Sequence, residues 1–125
     1  ILGETLHRIL QVVDFKNPSF DWIDDKFKDH IKLIVNLPLF KNVKEGEIFK
    51  EYAFENPDTL LDGIIDLLIV YKDHIDIIDY KTKYIDKEEY VDQLNEYERY
   101  VKTVWNLPVN KYLVSILDHK FKEVK

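Results

Sequence analysis

The chain has 125 residues, enough for one compact domain and too few for two. Apolar residues supply 46% of it and charged residues 34%, a globular balance that excludes disorder. Eighteen basic against 24 acidic side chains leave a net charge of −6, which disfavours simple electrostatic adhesion to nucleic acid or to an anionic membrane. Cysteine is absent, so disulfides, thiolate zinc sites and thiol catalysis are excluded too. Methionine is also absent, and a chain opening at Ile1 reads as one domain, residues 1–125, excised from a longer protein. No apolar run approaches the ~20 residues that span a bilayer, and no signal peptide opens the chain, so a cytoplasmic location without membrane association is expected.

Leu2, Leu6, Ile9, Leu10 and Val13 recur at helical spacing and predict a first amphipathic helix that ends near Asp14. Trp22, Ile23, Phe27, Ile31 and Ile34 predict a second from Asp21 to Val35, between Pro18 and Pro38. Beyond Asn42 the period falls towards two, and Glu47 to Phe54, Leu60 to Tyr71 and His74 to Lys83 read as consecutive strands. Asn56, Pro57 and Asp58 supply the first turn, and the short Lys72-Asp73 link the second. Asp86 with Glu89 reads as a capping box for a long helix reaching Trp105. Lys111 to Leu117 reads as a last short strand, followed by a basic tail from Lys120 that is expected to fray. The order is α-α-β-β-β-α-β, an α/β (α+β) fold with a mixed sheet flanked by helices. With only three glycines, phosphate-cradling loops and dinucleotide fingerprints are excluded.

The chemistry concentrates in Gly63-Ile64-Ile65-Asp66 and Ile77-Ile78-Asp79-Tyr80-Lys81-Thr82. Side chains alternate across a strand, so Asp79 and Lys81 project from one face. A two-residue loop at Lys72-Asp73 places Asp66 opposite Asp79, whereas a four-residue loop places it opposite Lys81. Either register puts all three groups on one face. Acids and lysines in strands are most often solvated or ion-paired. These two aspartates instead sit in apolar runs that look buried on both sides, and like charges facing each other there need a divalent cation or an ammonium to compensate them.

Asp66 followed by Asp79-Tyr80-Lys81-Thr82 resembles the PD-(D/E)XK nuclease signature, and the Gly-Ile-Ile-Asp and Asp-Tyr-Lys-Thr forms are similar to the nuclease domains of RecB and AddA. Gly3-Glu4-Thr5-Leu6-His7 resembles the histidine-bearing first helix of that branch, and Gln93-Leu94-Asn95-Glu96-Tyr97 its Gln-Leu-x-x-Tyr helix. The resemblance spans His7 to Tyr97 and implies a restriction-endonuclease-like core. It also implies a Mg²⁺- or Mn²⁺-dependent deoxyribonuclease acting in double-strand break repair and recombination, with DNA as substrate, a helicase domain on the parent chain and a partner subunit.

Under that resemblance Asp66, Asp79 and Lys81 are the catalytic residues. His7, Asp66, Asp79 and the backbone carbonyl of Tyr80 are the metal ligands. Glu51 is a further acidic position, and Gln93 and Tyr97 orient the substrate strand or Lys81. An isolated histidine on an apolar stripe is otherwise usually a core residue, and His30, His74 and His119 carry no comparable context. The competing reading is a catalytically inactive nuclease-like scaffold that binds DNA or a partner subunit.

Overall fold

Branched and aromatic residues at alternate positions favour extended backbone, and in the computed structural model they build one five-stranded mixed sheet, ordered β1-β2-β3-β4-β5. The structure describes residues 1–56 and 60–125; Pro57 and Asp58, expected in the first turn, lie outside them. β1 (Glu47–Asn56), β2 (Leu61–Val70) and β3 (Ile75–Lys81) are antiparallel neighbours. β4 (Val109–Ser115) runs parallel to β3, and β5 (Lys120–Val124) pairs antiparallel with β4. A parallel neighbour requires a crossover, and helix α3 (Glu88–Val104) provides it.

The sheet is covered on both faces, which explains the near-continuous apolar runs of β2 and β3. On one face Leu6 and Leu10 of α1 (Leu2–Val12) and Ile31 and Ile34 of α2 (Asp25–Val35) pack with Leu67, Ile69, Ile78 and Tyr80. On the other, Leu94, Tyr97 and Val101 of α3 pack with Leu68, Ile75 and Ile77. This is the mixed-sheet α+β architecture of a restriction-endonuclease-like core.

Three elements differ from the sequence-based expectation. The tail from Lys120 is β5, seated by Val124, whose side chain joins the α3-side core. Helix α3 starts at Glu88 with Lys87 as its N-cap and no side-chain cap; Asp86 instead pairs with Lys122 of β5 at 3.0 Å. Helix α2 starts at Asp25, because the Asp24 carboxylate caps the Lys26 amide at 3.2 Å, and Trp22 stays outside the helix, half exposed.

The hairpin of β2 and β3 has the tighter of its two possible registers. Leu67 faces Ile78, Val70 faces Ile75, and the Tyr71 amide donates to the His74 carbonyl at 2.8 Å across the Lys72-Asp73 link. The next step along this register brings Asp66 beside Asp79, where the ladder ends.

The pairing of β1 with β2 is interrupted at the same level. Partners run from Glu47–Val70 to Lys50–Leu67, skip Glu51 and Asp66, and resume in unchanged register at Tyr52–Ile65. Glu51 has φ 48°, a left-handed conformation that a β-carbon disfavours. Side-chain alternation slips there in both strands. Phe49 and Tyr52 both pack towards α3, as do Leu68 and Ile65. The two strands therefore turn over together at Glu51 and Asp66.

Candidate metal centre

The site forms where this double kink meets the end of the β2–β3 ladder. Asp79 shares the α3-facing side of β3 with Ile75 and Ile77, while Ile78 and Tyr80 face α1 and α2. Asp79 is 3% exposed. Burial and the neighbouring Asp66 charge push its pKa well above the usual carboxylate range. Lys81, two residues on, holds its ammonium 2.8 Å from Asp79 Oδ2 as an ion pair, outside hydrogen-bond angles. Asp79 and Lys81 therefore keep to one side of β3, as strand alternation predicts, while Asp66 departs from the common face expected of all three.

Asp66 is turned into the break between strands. Its Oδ2 accepts the Tyr80 amide N–H at 2.8 Å, replacing the ladder bond that the kink removes. Its Oδ1 lies 3.4 Å from Nε2 of His7. That histidine arrives from α1, which approaches the sheet closely because Gly3 faces Thr82; a β-carbon at Gly3 would lie 2.7 Å from Thr82 Oγ1. The His7 ring also meets the Tyr80 ring edge-on at 5.5 Å. The Asp66 carboxylate raises the His7 pKa, against the opposing effect of burial.

The left-handed turn at Glu51 brings a third acid to the cluster. Glu51 Oε2 is 3.8 Å from His7 Nε2, and Oε1 accepts a 2.7 Å hydrogen bond from Gln11 Nε2. Burial, and then the Asp66 charge, raise the Glu51 pKa. His7, Glu51 and Asp66 each offer one ligand atom within 4.8 Å of the others. Asp79 lies beyond Asp66, outside that set and turned towards Lys81.

Whether these groups suit a cation is decided by their unmet bonding capacity. Among the described residues, three buried side-chain polar atoms have no hydrogen-bond partner: His7 Nε2, Glu51 Oε2 and Asp79 Oδ2. The first two belong to the His7–Glu51–Asp66 group, from α1 and β1, and the third lies next to it on β3, ion-paired to Lys81. Buried polar atoms are normally paired. One imidazole nitrogen with carboxylate oxygens is a donor set that suits a hard divalent ion. The residues fit a metal.

On the α3 side, Lys81 Nζ donates to Gln93 Oε1 at 3.0 Å and lies 4.3 Å from the centre of the Tyr90 ring. Tyr97, one turn beyond Gln93, is buried against Phe54, ring centres 5.7 Å apart. Burial, with the Asp79 and Asp66 charges, holds its phenol well above its ordinary pKa. The ring also faces Gly63, where a β-carbon would sit 3.1 Å from it. Gln93 thus reaches Lys81, and the Tyr97 phenol, bonded to the Gln93 side chain, backs it from one turn further along α3. The Tyr80 side chain points into the opposite core. Of the remaining histidines, His30 and His119 bond each other at 2.6 Å and His74 bonds Asp73 at 2.7 Å, all apart from this cluster.

Residues 1–122 match the profile of the PD-(D/E)XK nuclease superfamily. The chain belongs to that superfamily. Curated relatives include ATP-dependent helicase/nuclease subunits of Streptococcus pyogenes serotype M5 (strain Manfredo), serotype M49 (strain NZ131) and serotype M1. Each is 27% identical over 147 aligned residues, covering 90% of this chain and 12% of the relative. The chain thus spans about an eighth of the length of these relatives.

Two contacts of this nuclease domain escaped the sequence reading. Gln11 lies four residues after His7 on the same face of α1, a spacing visible in the sequence but uninformative until Glu51 is seen to turn towards it. Tyr90 lies three residues before Gln93 on α3, and the sequence assigned its ring only to the apolar stripe.

Proposed function

We propose that this domain is a metal-dependent deoxyribonuclease, one module of a longer AddA-like helicase–nuclease that acts in the cytoplasm on DNA during double-strand break repair and recombination. The observation that carries the reading is the convergence of His7, Glu51 and Asp66, whose ligand atoms lie within 4.8 Å of one another with His7 Nε2 and Glu51 Oε2 buried and without a hydrogen bond, next to the Asp79–Lys81 pair of the nuclease signature. In this reading His7, Asp66, Asp79 and the Tyr80 carbonyl hold a Mg²⁺ or Mn²⁺ ion, with Glu51 beside them. Such an ion would supply Lewis-acid charge stabilisation at the phosphate.

The protein's own contribution is positioning and charge. Lys81, held between Asp79 and Gln93, presents a fixed cation to the negative charge that grows on the phosphate oxygens as water adds and the bond to the leaving sugar oxygen breaks. Asp66 keeps the Tyr80 amide engaged and so fixes the backbone on which Asp79 and Lys81 ride. The net charge of −6 implies weak affinity for DNA by the domain alone, so delivery of the strand falls to a helicase domain of the parent chain and to a partner subunit.

The test pairs metal binding with cleavage. Lys81→Ala should keep Mn²⁺ binding, read by calorimetry, and lose cleavage of linear duplex and single-stranded DNA by at least two orders of magnitude; Asp66→Ala should lose both. Full cleavage by Lys81→Ala would remove the mechanism. Wild-type protein that neither binds Mn²⁺ nor cuts would favour the inactive scaffold.

A further inference from the structure

Glu51 is the least expected member of the cluster. A glutamate in the middle of a strand has no intrinsic reason to adopt φ 48°, and such strain persists only where the surroundings over-determine it. The contact that singles out Glu51 is the Gln11 amide, whose Nε2 donates to Oε1 at 2.7 Å and leaves Oε2 turned towards His7. Gln11 and His7 are one turn apart on α1, so a single rigid helix fixes both the imidazole and the orientation of the carboxylate.

We infer that Gln11 is a positioning residue of the metal centre: a neutral donor that locks Glu51 in its left-handed turn and presents Oε2 beside His7 Nε2. This inference rests on the metal-binding reading above. The choice of amide has a chemical reason. A lysine in that place would also hold Glu51, but its ammonium would neutralise the acid and compete with a divalent ion. Glutamine restrains one oxygen and leaves the negative charge undiminished. An orienting partner of this kind typically governs metal affinity by 10- to 100-fold.

Five proteins test this: wild type, Gln11→Met, which keeps the length and loses the donor, Glu51→Gln, the double variant of these two, and Gln11→Lys. Mn²⁺ affinity is measured by calorimetry, and melting is followed in EDTA. Gln11→Met is expected to weaken Mn²⁺ binding about tenfold while melting in EDTA within a few degrees of wild type. In the Glu51→Gln background the same substitution should have no further effect on Mn²⁺ affinity. A Gln11→Lys variant should weaken Mn²⁺ binding further than Gln11→Met and melt higher in EDTA. If Gln11→Met does not fold, Gln11→Asn, one methylene too short, is read by the same criteria. Wild-type Mn²⁺ affinity in Gln11→Met, or an undiminished effect of that change in the Glu51→Gln background, would overturn the inference alone. No Mn²⁺ binding by wild type would overturn the metal reading and this inference with it.

Discussion

Replacing Asp79 by asparagine should stabilise the metal-free protein at neutral pH, although it removes a residue of the nuclease signature. Asp79 is buried beside Asp66, and its pKa is pushed up to about 7 from an ordinary 3.8, first by burial and then by the Asp66 charge. At about 1.4 kcal/mol per pH unit, holding that carboxylate ionised costs the fold at most about 4 kcal/mol. That shift already includes the attraction to Lys81; burying the asparagine amide offsets part of the gain, so the net should be about 1 to 3 kcal/mol. Because the folded-state pKa lies above the unfolded one, the penalty is absent below about pH 4, grows as pH rises towards 7, and is complete above it. Urea unfolding in EDTA at pH 5 and pH 8 should therefore show Asp79→Asn close to wild type at the lower pH and more stable at the higher. Added Mn²⁺ should stabilise wild type at pH 8 by mass action and leave the variant nearly unmoved. A variant less stable than wild type at pH 8 in EDTA would refute the reasoning, since it would mean that the buried charge is already compensated within the protein.

The other predictions concern the frame around the site. Gly3→Ala places a methyl group 2.7 Å from Thr82 Oγ1 and should cost about 1 to 3 kcal/mol; Thr82→Ala in the same chain should restore most of the lost melting temperature. Lys111, buried on β4, donates to Asn95 Oδ1 and Glu98 Oε1 of α3, both at 2.8 Å. Lys111→Met should lower stability in urea by about 2 kcal/mol. Deleting residues 120–125 removes β5 and bares the edge of β4. That protein should melt lower and self-associate by light scattering, because an unpaired edge strand recruits others.

The legible part of this protein is the part in which a short loop fixes pairing. Two residues between Tyr71 and His74 set the register as far as Leu67–Ile78, the shorter of the two loops the sequence allows, and one further step along it brings Asp66 beside Asp79. The two helical stripes of α1 and α3 were equally open to reading, because their apolar residues keep a 3.6-residue period. The kink was not. Left-handed backbone is usually announced by glycine or asparagine, and the residue at the turn is Glu51, held there by a contact from a helix 40 positions away in sequence. β5 was missed because Lys120-Phe121-Lys122-Glu123-Val124 is mostly polar, and only its pairing with β4 shows that Val124 is a core residue. The start of α3 moved because Asp86, a sound cap by local chemistry, is engaged by Lys122 across the fold.

The shared turnover of β1 and β2 has a mechanical consequence. Beyond Glu51 and Asp66, the hairpin continues as a lever about five residues long in each strand, ending at Asn56 and Leu61. Its fulcrum consists of two prospective ligands. A load at its outer end would act as torque on Glu51 and Asp66 together, so pulling on that arm would reach any ion held between them.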